Sequence, residues 1–163
     1  MVVRRIHTVA FGLALAACTT DSPTALDAPQ FAVDGVPFTA RCTLAIQPPT
    51  PVGPGLIHQL DTGECQVAHL GRTTFVSDKI INVVAGTQTL QATFTAANGD
   101  VLRAAGSGTS SMVSPGIVAF EATITFDGGT GRFAAASGTA AIRGQANLAA
   151  GTSAPEMTGT IQY

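Results

Sequence analysis

The chain has 163 residues, a formal net charge of −2 and only 11% charged residues, against roughly 25% in ordinary domains. No basic patch runs through it, which argues against nucleic acid as a partner. With its first 30 residues set aside, what remains suits one domain with a real core. Arg4 and Arg5 open the chain, and an apolar run over 9–17 ends in Leu15-Ala16-Ala17-Cys18. A basic start, a short apolar stretch and small residues at a cleavage position predict a signal peptide over 1–17. The run is about half the roughly 20 apolar residues that cross a bilayer.

Leu15-Ala16-Ala17-Cys18 resembles the lipobox of bacterial lipoproteins. The resemblance implies cleavage before Cys18, a lipid on that cysteine and an extracytoplasmic protein held to the envelope by its lipid. Thr19 stands where an aspartate would favour inner-membrane retention, so the same resemblance points to the outer membrane in a cell that has one. Residues 19–30 read TTDSPTALDAPQ. They are polar, hold two prolines and lack apolar period, so 18–30 is expected to be a flexible tether spanning on the order of 20 Å. The domain is expected over 31–163. All ten acidic residues follow Cys18, so the mature chain carries a charge near −4.

From residue 38 onward the period is two. Leu90, Ala92 and Phe94 alternate with Gln91, Thr93 and Thr95. Phe120, Ala122, Ile124 and Phe126 alternate with Glu121, Thr123 and Thr125. Met157, Gly159, Ile161 and Tyr163 alternate with Thr158, Thr160 and Gln162. Such alternation marks strands with one apolar face. Turn signals separate them at Asn98-Gly99-Asp100, Ser114-Pro115-Gly116 and Asp127-Gly128-Gly129. Strands so spaced predict an all-β antiparallel sandwich or barrel. Residues 47–55, QPPTPVGPG, are expected to form a loop, because proline cannot donate to a sheet ladder. Residues 134–151 read as weak strands rich in Ala and Gly.

Ala96-Ala97-Asn98-Gly99-Asp100, Gly128-Gly129-Thr130-Gly131-Arg132-Phe133 and Ser137-Gly138 together resemble the pattern of allene oxide cyclase-like and dirigent-like barrels. His69-Leu70-Gly71-Arg72 followed by Thr73-Thr74-Phe75 is similar to the same bacterial branch. The resemblance implies a single closed antiparallel barrel of eight strands. It carries no catalytic residue across, and the first third of the domain lies outside it.

Several local signals have plainer readings. Gly129 to Ala134 has the spacing of a dinucleotide fingerprint, but no stable helix follows to meet a pyrophosphate, and no cofactor is expected. Its glycines suit a tight turn, with Arg132 a solvated charge. Cys65 and His69, read as one strand face, would stand about 13 Å apart, too far to share one metal ion. His58 has no partner spacing. Glu121 falls on the polar face of its strand, in water. No nucleophile elbow is present, so no catalytic residue is assigned.

With Cys18 taken by lipid, Cys42 and Cys65 remain in an oxidising compartment and are expected to pair. Leu90, Phe94, Phe120, Ile124 and Phe126 should point into the barrel, where Ala92, Ala122 and Gly159 would leave room beside them. The expected role is a non-catalytic envelope module that binds a small apolar ligand or acts as an interaction module. The alternatives are an isomerase or cyclase acting on a hydrophobic substrate, and a structural protein with a filled barrel. A titratable group inside the cavity would favour the enzyme over the binder. The lipid reading has its own test. Cells fed a fatty-acid probe should label the wild-type chain and not Cys18→Ser; equal labelling of both, or of neither, contradicts it.

Overall fold

Apolar residues at every second position bury one face of each segment, and the barrel closes because each strand finds a partner on both edges. The computed structural model describes residues 35–163, within a compact unit spanning Ala32–Tyr163. Cys18, the expected signal and the tether lie outside the described residues. Ten strands follow in chain order: β1 (Val36–Ile46), β2 (Thr50–Gly53), β3 (Leu56–Val67), β4 (Gly71–Asn82), β5 (Thr87–Ala96), β6 (Val101–Ser114), β7 (Ile117–Gly129), β8 (Ser137–Asn147), β9 (Thr152–Ser153) and β10 (Glu156–Gln162). All pairings are antiparallel, and neighbours from β3 to β8 are joined in sequence order. β8 then pairs β10, β10 pairs β1, and β1 pairs β3, which closes an eight-stranded barrel. β9 continues the line of β10 beyond Ala154-Pro155, filling the space between β8 and β1.

The expectation of an all-β antiparallel barrel holds. The proline-rich stretch differs in part. Thr50–Gly53 forms a short strand folded back on the start of β3, with Pro51 opposite Ile57 and a register shift before Gly53. Proline is tolerated there because β2 is an edge with no further neighbour. β3 ends at Val67 rather than His69. His69 sits in the next turn at φ 65°, so it does not share a strand face with Cys65.

An eight-stranded barrel has an interior just wide enough for side chains. Here glycine stands opposite several of the large side chains. Phe38 faces Gly159, Phe75 faces Gly63, Phe126 faces Gly138, and Phe120 faces Gly144. Gly159 was expected to leave free space. Instead, neighbouring backbone fills it: a Cβ there would collide with the Thr139 carbonyl and with Ala140. Phe38, Phe75, Phe94 and Phe126 form one ring cluster, with centroids 4.7 to 5.8 Å apart in the contacting pairs. Edge and tilted contacts of this kind add about 0.5–1.5 kcal/mol each beyond burial.

The cluster fills the end of the barrel where β1 begins and β10 finishes. A 3₁₀ turn over Gly131–Phe133 seals that end. Phe133 is fully buried and packs 5.1 Å from the Tyr163 ring. Arg132 is not merely solvated. Its guanidinium lies 4.7 Å from the Phe133 ring centroid, and Nη2 donates to the His69 carbonyl at 2.8 Å. The opposite end carries the connections 47–55, 83–86, 115–116 and 148–151, and it is open.

Cys42 and Cys65 face each other across β1 and β3 and form a disulfide. It closes a span of 23 residues that holds the exposed proline-rich excursion. In the chain-entropy model such a span contributes about 3 kcal/mol. Urea unfolding of Cys42→Ser plus Cys65→Ser should show a loss of about that size. An unchanged midpoint would mean the bridge is energetically idle.

Candidate functional site

Parity decides what lies inside the open half. On β3, Cys65 and Val67 point inward, so Gly63, Asp61 and Gln59 do as well. On β4, Phe75 points inward and takes Ser77 and Lys79 with it. On β5, Leu90 and Phe94 place Gln88 on the same face. Gln59, Asp61, Ser77 and Gln88 are all buried. The barrel interior is thus apolar at one end and polar about midway.

Lys79 is the chain's only lysine, and its Nζ lies 2.5 Å from Asp61 Oδ2. The two side chains are 13% and 3% exposed. Gln59 Nε2 donates to the other Asp61 oxygen at 2.9 Å, so both carboxylate oxygens are occupied. Gln59 and Lys79 are direct cross-strand partners, as are Asp61 and Ser77, which fixes the diagonal contact between Asp61 and Lys79. Charges this deep are tolerated when paired and hydrogen-bonded. The pair is neutral overall, and Lys79 keeps N–H groups beyond the one given to Asp61.

Two spaces meet at Lys79, with Gln88 and Phe120 also lining both. An inner cavity of about 30 Å³ touches Asp61, Ser77, Lys79, Gln88 and Ser153, with Leu90, Phe120 and Ala122 on its apolar side. Ser153 Oγ is buried and has no hydrogen-bond partner. An outer cavity of about 250 Å³ opens above it. Ile57, Ile81, Val83, Met112, Val118 and Leu148 are among its walls, and Gln59, Lys79 and Gln88 also line it. The arrangement is an apolar funnel that narrows onto a few polar groups, the usual form of a small-molecule site. Its volume lies just below the roughly 300–1,000 Å³ of such sites.

The five residues expected to line one cavity divide. Leu90 and Phe120 border the inner cavity, and Phe120 borders the outer one too. Phe94, Ile124 and Phe126 are buried in the packed half, where the ring cluster leaves no room beside them. Ala122 lines the inner cavity, whereas Ala92 is buried in the core. The lining expected from Leu90, Phe94, Phe120, Ile124 and Phe126 is wholly apolar; the structure adds Lys79, Asp61, Gln59 and Gln88. The signal was available, since Phe75 and Cys65 set the parity of their strands. Elsewhere, His58 Nε2 lies 2.8 Å from Asp78 Oδ1, and Glu121 is exposed. Among the described residues no three His, Cys, Asp or Glu side chains converge as a metal site would require.

Comparisons of the chain with protein-family models, curated proteins and solved structures match none of them.

The ion pair can be tested by a double-mutant cycle. Removing one partner of a buried pair costs about 3–5 kcal/mol, because the other charge is left uncompensated. Asp61→Leu and Lys79→Met should each destabilise on that scale. The double variant should lose much less than the sum. Additive losses in chemical denaturation would mean the two charges act independently.

Proposed function

We propose that the barrel binds a small, uncharged amphipathic molecule through its open end, with the polar part of the guest against Lys79 and Asp61. The observation that carries this reading is the self-neutralised pair at the junction of the two cavities, beneath an apolar mouth. A charged head group would enter a site whose charges are already paired and would be buried without a counter-ion. A hydroxyl, ketone or amide instead finds N–H groups on Lys79 and Gln88, and the free Ser153 hydroxyl. The outer cavity has the volume that about eight waters occupy in the liquid, which suits a guest of the order of ten heavy atoms rather than a whole phospholipid.

The chain's opening supports the location in this reading: an exported protein, lipid-anchored at Cys18 on the cell envelope, and on the outer membrane where one exists. A second reading is favoured by the same pair. Asp61 and Lys79 are a proton acceptor and donor facing an apolar cavity, which is what an isomerase or cyclase working on a hydrophobic substrate requires. It would agree with the resemblance of the Gly128–Phe133 stretch to allene oxide cyclase-like barrels.

A neutral environment-sensitive dye, displaced in turn by octanol, octanoate and octylammonium, separates these ideas from a filled barrel. The wild type should take up the dye, and octanol should displace it at about tenfold lower concentration than either ion. Ala146→Phe, which places a ring in the outer cavity, should weaken uptake by about tenfold or more. No uptake, or equal uptake by the filled variant, contradicts the site. Equal competition by all three amphiphiles contradicts the role given to Lys79 and Asp61.

A further inference from the structure

Among the described residues eight large apolar side chains are exposed, and six of them, Val52, Val83, Val84, Met112, Val113 and Leu148, sit at the open end at 48–86% exposure. Of the other two, Ile80 is on β4 and Tyr163 is at the closed end. The six come from three connections and from the end of β6, and these ring the cavity mouth. The connections at this end read QPPTPVGPG at 47–55, VVAG at 83–86, PG at 115–116 and LAAG at 148–151, and none contains a charged residue or a histidine. The closed end is different: its connections hold His69, Asp100 and Arg132, whereas at the open end the nearest such groups, His58 and Asp78, pair with each other on the strands below the connections. Soluble surfaces seldom gather apolar groups in this way without a partner.

We infer that this crown docks on the surface of a phospholipid bilayer, its loops entering the boundary between head groups and acyl chains. The chemistry of the crown favours lipid over protein. Protein interfaces concentrate aromatic residues and arginine around a packed centre, and the crown has neither. Its centre is a cavity, so a flat protein partner would bridge a hole. Fluid acyl chains have no such difficulty and would give an apolar guest a dry path into the barrel. The absence of charge makes the attraction apolar rather than electrostatic, unlike polybasic lipid binders.

The chain outside the structure permits the same arrangement. It joins the barrel at Gly35, beside Ile161 at the closed end. From Cys18 to Gly35 the chain can extend about 55 Å. The 11-residue β1 is about 36 Å long. An anchor at Cys18 therefore leaves the open end able to meet the membrane that holds it. Docking is independent of the ligand reading and does not require Lys79.

The test uses the chain from Thr19 onward, which has no signal or lipid cysteine. The barrel closes without any residue before Val36, so this chain holds the whole folded unit. It should co-float with phosphatidylcholine vesicles, and the bound fraction should change by less than about twofold between 0.1 M and 1 M salt. Val84→Asp and Met112→Asp alter exposed side chains, so folding should survive. Each should weaken flotation by about tenfold or more, while Ala97→Asp, which adds the same charge at the closed end, should change it by less than about twofold. The inference is overturned if the wild type does not float or if the crown variants float as well as it does. Binding that requires added phosphatidylglycerol and vanishes at high salt also overturns it. So does a dimer in light scattering that Val84→Asp dissociates while vesicles capture no protein, since the crown would then meet a second copy of the chain.

Discussion

The interior of a closed eight-stranded barrel is narrow, so large side chains crowd one another unless small residues stand beside some of them. This chain meets that constraint by setting glycine opposite phenylalanine. Gly159, Gly63 and Gly138 stand opposite Phe38, Phe75 and Phe126, and backbone of the strand on their other side fills the space a Cβ would take. Three of the four rings in the cluster therefore face no side chain from a directly opposite residue on one neighbouring strand. Phe94 has no such glycine and packs its ring against Phe38 and Phe75. With Phe133 beneath them, one end of the barrel is solid.

Above the ring cluster the pattern changes. Ser77, Lys79, Gln59 and Gln88 occupy positions where the closed half would hold rings, and the strands part into a mouth. Packing alone no longer determines the interior there, so polar contacts do. Lys79 and Asp61 hold each other at fixed positions across β3 and β4, and Gln59 fixes the carboxylate from the other side. Groups held by rigid strands are better placed for recognition than groups on loops. The solid end supplies that rigidity, and the connections of the open end supply the crown. One barrel thus presents three chemistries along its axis: a dry core, a neutralised charge pair and a charge-free apolar rim.

How much of this was legible in the sequence depends on what each feature is made of. Alternation within a strand is local, so β5, β7 and β10 were readable from Leu90, Phe120 and Met157 onward. Closure is not local. It appears only when β10 pairs with both β8 and β1, and only the resemblance of the glycine-rich turn pointed to it. The glycine–phenylalanine pairs depend on register, which a single strand does not reveal; Gly159 therefore read as empty space. Pro51 argued against a strand that exists because its edge is free. Asp61 and Lys79 were hidden by the rule that charges lie outside, although the parity of Phe75 and Cys65 places both within.

The single lysine offers the most direct measurement of the central claim, that the barrel encloses a neutralised charge pair at the base of an accessible cavity. Lysine-selective ¹⁵N labelling gives one ammonium signal for the whole protein. The claim predicts that this signal is protected from rapid exchange with water, that it shifts when octanol is added, and that Asp61→Asn abolishes the protection. An ammonium that exchanges as fast as a free lysine, and responds neither to octanol nor to Asp61→Asn, would contradict it.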